Sequence, residues 1–193
     1  YLTINYMYFI NDWFADIYLL REILDFLEFQ TSSTRSKNYL YIPRKQGGSM
    51  LYGSTFRQQP KHYKKQRQKD PNNPGLNLTK AKSDYPELQQ IFEEFSSLYF
   101  PNFKWNSVQM NKNYTIPAHF DSLNVGESVL VGAAGDYVNG LTCLYNEKTR
   151  EIEKIDSRLK PQQFDGSKIL HWSEQSRGRD DRYTLVFFFS ENI

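Results

Sequence analysis

The chain has 193 residues, 39% of them hydrophobic and 16% aromatic, which is enough to bury one substantial core and points to one domain rather than two. Its only cysteine, Cys143, excludes an intrachain disulfide and favours a reducing, intracellular setting, nuclear or cytoplasmic. No stretch approaches the roughly twenty apolar residues of a membrane span, and the apolar opening from Tyr1 to Phe9 lacks the basic flank of a signal peptide.

In chain order, the first predicted element is a helix from about Asp12 to Phe29. Leu19, Leu20, Ile23, Leu24 and Leu27 recur at three and four spacing, with Asn11 as N-cap. Asn38 to Ile42 and Met50 to Tyr52 read as two strands flanking a Gly47-Gly48 turn. A basic block follows the same region. Residues 1–30 carry a net charge of −4, residues 31–69 hold ten Lys and Arg and no acid, and residues 70–193 carry −4, so an overall +2 conceals one positive stretch. Its densest part, Lys61 to Lys69, interleaves bases with Tyr63, a pattern suited to neutralising phosphates and stacking on nucleobases; a solvated basic loop is the other reading. Asp70 to Gly75 is a turn-rich, mobile connector. A second helix is expected from about Pro86 to Tyr99, with Leu88, Ile91, Phe92 and Phe95 on one face and Asp84 near its start. From Phe103 onward the chain reads as short strands separated by turns, the pattern of a sandwich or barrel.

Two short stretches carry the chemistry. In His119-Phe120-Asp121 the outer residues are spaced i, i+2, so on a strand both side chains project to the same face. Downstream, Lys168 to His171 reads as one strand and Arg182 to Phe189 as another, which puts Arg182 and Thr184 on a common face. Two imidazoles and a carboxylate form the ligand set that holds non-haem Fe(II) on one face and leaves positions open. A guanidinium grips a carboxylate through two parallel hydrogen bonds, and a hydroxyl two residues on adds a third, which suits a dicarboxylate such as 2-oxoglutarate. On the residues alone, the trio also fits a hydrogen-bonded structural cluster or a zinc site; a zinc hydrolase leaves Arg182 and Thr184 unaccounted for. Arg177 and Arg179 are expected at the surface, Trp172 should face away from the metal into packing, and His62 is not expected to be a ligand.

His119-x-Asp121, a distant His171, and Arg182-x-Thr184 after an interval of ten residues resemble the Fe(II)/2-oxoglutarate-dependent dioxygenases. The stretches from Asn111 to Asn124, Gly135-Asp136-Tyr137, and Phe164-Asp165-Gly166 ahead of His171 are most similar to the branch of the TET enzymes and J-binding proteins, which oxidise the methyl group of a 5-methylpyrimidine base. The stretch after Gly135-Asp136-Tyr137 reads Val138-Asn139-Gly140-Leu141 where that branch has Gly-Gly-Glu-Leu, and the cysteine-rich zinc regions of the TET enzymes are missing from the sequence. The N-terminal part, with Ser49 to Gly53 and Arg57, is similar to the nucleotide-covering segment of AlkB demethylases. Their second, base-contacting arginine is replaced here by the apolar Val186-Phe187-Phe188, which disfavours AlkB-type demethylation.

The resemblance implies a mainly β, α+β chain: a double-stranded β-helix, the cupin-like jelly-roll, supported by N-terminal helices. It implies one domain over 1–193, with helices and a basic substrate lid in 1–100 and the metal-bearing core in 101–193. It implies Fe(II), 2-oxoglutarate and O2 as cofactor and co-substrates, with His119, Asp121 and His171 as ligands and Arg182 and Thr184 as the co-substrate clamp. Asn111 and Tyr114 are candidates for contact with 2-oxoglutarate or substrate, with packing or turn chemistry as the other reading. Tyr52, Arg57, Lys64, Lys65 and Arg67 are candidates for substrate contact. The expected partner is nucleic acid, DNA or RNA, with no membrane and no obligate protein partner. A protein side-chain or small-molecule hydroxylase is the alternative, because the fold does not fix the substrate; a basic binding module with an inactive core is a further one, against which the complete ligand set argues.

Overall fold

The computed structural model describes residues 8–29, 47–55, 68–72, 75–121 and 124–191. Among the described residues, three helices precede or flank eleven strands. They are α1 (Trp13–Asp25), α2 (Lys80–Asp84) and α3 (Leu88–Tyr99); β1 (Gly48–Thr55), β2 (Asn77–Leu78), β3 (Ser107–Lys112), β4 (Ser128–Gly132), β5 (Tyr137–Asn139), β6 (Thr142–Asn146), β7 (Glu151–Ile155), β8 (Gln162–Phe164), β9 (His171–Ser173), β10 (Ser176–Gly178) and β11 (Tyr183–Phe188). The strands form a six-stranded sheet in the order β2-β1-β3-β11-β4-β8, a three-stranded sheet β7-β6-β9 and a pair β10-β5. Every pairing is antiparallel. This is the mainly β jelly-roll with supporting helices that the sequence predicts. No helix among the described residues is long and apolar enough to cross a membrane.

Side-chain alternation divides the large sheet into two chemically distinct faces. Val108 and Met110 of β3, with Tyr183, Leu185 and Phe187 of β11, join Ile17, Leu20 and Leu24 of α1 and Phe92 and Phe95 of α3 in the main core. Phe92 stands edge-on to both Tyr52 and Phe187, with ring centroids 5.4 and 5.7 Å apart. The intervening residues, Gln109 and Asn111 on β3 and Thr184 and Val186 on β11, take the opposite face. The antiparallel register sets Asn111 beside Thr184 and Gln109 beside Val186.

The helix boundaries differ from the expected ones for local reasons. Asp12, not Asn11, caps α1: its carboxylate accepts from the backbone N–H of Phe14 and Ala15, each at 3.1 Å. Asn11 sits one step earlier at φ 62°, where an asparagine is tolerated. The buried Asp16 carboxylate holds this entry by accepting from the N–H of Ile10 and Asn11 and from the Tyr99 hydroxyl. Asp12→Ala should therefore cost about 1 kcal/mol, read as a lowered midpoint of thermal unfolding. The α1 helix stops at Asp25 rather than Phe29. The second expected helix starts at Leu88, because Thr79 caps the separate short helix α2, and Asp84 ends that helix, pairing with Lys80 at 3.1 Å. The predicted strand Asn38 to Ile42 lies outside the described residues. The connector after residue 69 begins as a built turn, where the Asp70 N–H bonds to the Leu76 carbonyl and its buried carboxylate meets the Ser54 hydroxyl and the Asn72 N–H.

Candidate active site

His119 and His171 face each other across an isolated antiparallel bridge, each N–H donating to the other's carbonyl at 3.0 and 3.1 Å. The segment His119 to Asp121 is thus not a full strand, contrary to expectation. It is extended chain pinned at both ends, because Asp121 N–H also donates to the Gly166 carbonyl at 2.9 Å. His119 and Asp121 still converge on His171, while Phe120 between them is 48% exposed and also borders the cavity. The expected strand from Lys168 is likewise corrected. Asp165 captures Ser167 N–H, Ser167 Oγ and Lys168 Nζ, which bends residues 166–169 into a turn, and β9 starts only at His171.

The imidazole tautomers follow from their partners. His119 Nδ1 lies 2.9 Å from the Pro117 carbonyl and His171 Nδ1 lies 2.8 Å from the Ile169 carbonyl. A carbonyl only accepts, so each Nδ1 carries the proton and each Nε2 presents a lone pair. Those Nε2 atoms converge on Asp121, His119 at 3.5 Å from Oδ1 and His171 at 3.8 Å from Oδ2. All three ligand atoms lie within 4.8 Å of one another, so one metal ion can meet them together. The Asp121 carboxylate raises the His119 pKa above its ordinary value, and burial pushes that of His171 down. Gly166 makes the room: a Cβ there would stand 2.6 Å from Asp121 Oδ2 and 3.2 Å from His171 Cε1.

Arg182 is 3% exposed and enters the site just before β11. Its backbone N–H donates to Asn113 Oδ1 at 2.9 Å, its Nε donates to the Gly140 carbonyl at 2.8 Å, and one terminal nitrogen reaches the Tyr114 carbonyl at 3.4 Å. Gly140 has φ +72° and a Cβ there would lie 2.8 Å from Arg182 Cδ, so only glycine admits the guanidinium this closely. No carboxylate among the described residues lies within salt-bridge distance of Arg182. Burial lowers its pKa, yet an arginine keeps its proton at neutral pH.

A cavity of about 380 Å³ joins these groups, lined by His119, Asp121 and His171 near one wall and by Arg182, Thr184 and Asn111 on another. Tyr114 lies off the cavity; its carbonyl, not its phenol, serves Arg182, and its ring packs where Gly47 has no side chain. Tyr52 is fully buried in the main core, because strand parity turns it with Val108 toward the helices, and it is not positioned to meet a substrate. Trp172 is half-buried and contributes to the cavity lining rather than to core packing, since β9 forms the thin wall of the smaller sheet. Arg177 and Arg179 are exposed on and beside β10, as expected. Arg57, His62, Lys64, Lys65 and Arg67 lie outside the described residues. Among the cavity residues to which the sequence assigned no role are Gln109 and Asn124. Gln109 was legible as the i−2 neighbour of Asn111 on one strand face; Asn124 had no periodic signal.

No family model matches the chain, and no curated protein matches it. Solved structures do. NgTET1 in complex with 5mC DNA is 14% identical with a TM-score of 0.52, covering 90% of this chain and 67% of its own. A prolyl-4-hydroxylase from Pseudomonas putida is 11% identical with a TM-score of 0.46, over 93% of this chain and 88% of its own. An oxidoreductase of the 2OG-Fe(II) oxygenase family from Burkholderia pseudomallei is 15% identical with a TM-score of 0.45, over 61% and 60%. The likeness to NgTET1 shows a shared fold. It agrees with the fold that the sequence resemblance implies.

Proposed function

We propose that this chain is an Fe(II)/2-oxoglutarate-dependent dioxygenase that hydroxylates the methyl group of a methylated nucleic-acid base, a 5-methylpyrimidine. The observation that carries the oxygenase reading is the buried Arg182 guanidinium, which faces the same cavity as the trio and, among the described residues, has no carboxylate within salt-bridge distance, Asp156 acting on it only from farther away. A buried charge of this kind calls for a carboxylate ligand. The metal fit rests on the donor set, since two imidazole nitrogens and one carboxylate oxygen lie within 4.8 Å of one another, and the lack of a side chain at Gly166 leaves room for the Asp121 carboxylate beside His171.

In this reading His119, Asp121 and His171 hold Fe(II) on one face. Bound iron supplies activation of O2, coupled to oxidative decarboxylation of 2-oxoglutarate to succinate and insertion of one oxygen atom into a substrate C–H bond. Arg182 and Thr184 take the distal carboxylate of 2-oxoglutarate, and Asn111, opposite Thr184, supplies a further polar contact. The apolar Val186 and Leu130 form a cavity wall that excludes water beside the reacting bond.

The nucleic-acid substrate is supported by the basic block over residues 31–69, by the sequence resemblance, and by NgTET1, the fold relative, having been captured with 5mC DNA. A cavity of about 380 Å³ is of the size that takes one small planar ligand, so a base in a duplex has to be flipped to enter. The test is succinate formation with Fe(II) and 2-oxoglutarate while methylated DNA, methylated RNA and peptide pools are offered in turn. Stimulation by a methylated nucleic acid is expected. Turnover stimulated only by peptide removes the nucleic-acid substrate, and no turnover under any condition removes the oxygenase. Neutralising Lys64, Lys65 and Arg67 together should lower nucleic-acid affinity and reduce the slope of log affinity against log salt by up to about 2.7 on duplex DNA, measured by a binding titration across salt concentrations.

A further inference from the structure

We infer that Asn124, braced by Ser128, is a positioning residue that holds Asp121 as a one-oxygen metal ligand and thereby keeps coordination positions open. The inference rests on the metal reading given above and concerns a residue to which that reading assigns no role. Asn124 Nδ2 donates to Asp121 Oδ2 at 2.9 Å and to Ser128 Oγ at 3.0 Å. Ser128 begins β4 and is fully buried, so it anchors the carboxamide to the large sheet.

The geometry around Asp121 makes this hold consequential. Each carboxylate oxygen is within reach of one imidazole, Oδ1 of His119 Nε2 and Oδ2 of His171 Nε2. Unrestrained, the carboxylate can present both oxygens to a metal and occupy two positions. The amide donor engages Oδ2 while the Gly166 backbone closes against that same oxygen, where a Cβ would come within 2.6 Å. Oδ1 is then the oxygen turned to the metal beside His119. A three-atom ligand set of two nitrogens and one oxygen leaves the open positions that a chelating keto acid and O2 require. Hydrogen bonds onto a ligating carboxylate also fix its orientation, and removing such partners typically weakens metal affinity by about 10–100-fold.

The test uses the full chain stripped of metal and titrated with Mn(II) alone, followed by 2-oxoglutarate titration of the Mn(II)-loaded protein. Asn124→Ala should weaken Mn(II) binding by about tenfold or more and weaken 2-oxoglutarate binding to the loaded protein as well, with little change in the unfolding midpoint of the metal-free protein. Ser128→Ala, which leaves the amide in place but removes its brace, should shift both affinities in the same direction by less. Unchanged Mn(II) affinity in both variants overturns the inference while leaving the metal site standing. Failure of the parent chain to bind Mn(II) overturns the metal reading and this inference with it.

Discussion

Arg182→Met is expected to weaken 2-oxoglutarate binding to the metal-loaded protein by about two to three orders of magnitude, because stripping one partner from a buried charge pair costs about 3–5 kcal/mol. The metal-free protein should respond much less. Its guanidinium is buried with no carboxylate at salt-bridge distance among the described residues, so the substitution removes a desolvation cost that two carbonyls and the more distant Asp156 offset only in part. Against that gain, the carbonyls of Gly140 and Tyr114 lose their donors, each worth about 1–3 kcal/mol when buried and left unsatisfied. The two effects offset one another. The distinguishing measurement is the ligand-induced rise in unfolding midpoint. At a hundredfold excess over Kd the parent protein gains about 2.7 kcal/mol from 2-oxoglutarate, and Arg182→Met should gain almost nothing under the same conditions. A variant that keeps the full ligand-induced shift would remove Arg182 from the co-substrate site.

The second large effect comes from a residue with no side chain. Gly166→Ala retains all three proposed ligands, yet its Cβ would lie 2.6 Å from Asp121 Oδ2, well inside van der Waals contact. Neither neighbour can yield freely, because Asp121 N–H is tied to the Gly166 carbonyl and His171 is fixed by its bridge to His119. The carboxylate must rotate away, so metal affinity should fall by at least about tenfold, comparable to the loss of an orienting partner. Asp121→Ala is the comparator and should abolish measurable binding. Calorimetric titration with Mn(II), alongside a far-ultraviolet spectrum to confirm folding, separates the two. Gly166→Ala binding metal like the parent chain would show that the trio does not converge as described.

The residues that converge in the proposed site were more legible in the sequence than the elements that carry them, for identifiable reasons. The pairs His119 with Asp121 and Arg182 with Thr184 depend only on extended backbone, so the i, i+2 argument held even where His119 to Asp121 turned out not to be a strand. The Lys168 to Leu170 error arose because Asp165 offers a competing local hydrogen-bond set, an effect that apolar patterning does not register. Asn11 and Asp12 are both good capping residues, and the choice between them was made by the buried Asp16 one turn on and the distant Tyr99 that it meets. Tyr52 misled because an aromatic in an alternating strand is equally compatible with either face; the six-residue register between β1 and β3 turns it inward to the helices. Asn124 entered only as the end of a family-like stretch, because its hydrogen bonds to Asp121 and Ser128 join a loop to the sheet and leave no periodicity.

The reciprocal bridge between His119 and His171 also bears on how the protein reaches its native state. These residues are about fifty positions apart, so their mutual pairing closes a long loop whose entropy must be spent before the contact returns anything. Local elements such as α3 and the β6–β7 hairpin can assemble long before that closure. The trio proposed to hold the metal is therefore expected among the last parts of the chain to become native. Once it forms, the main-chain bridge and the Nδ1 contacts to the Pro117 and Ile169 carbonyls hold the two imidazoles in register, and a metal arriving afterwards would meet side chains already organised to receive it.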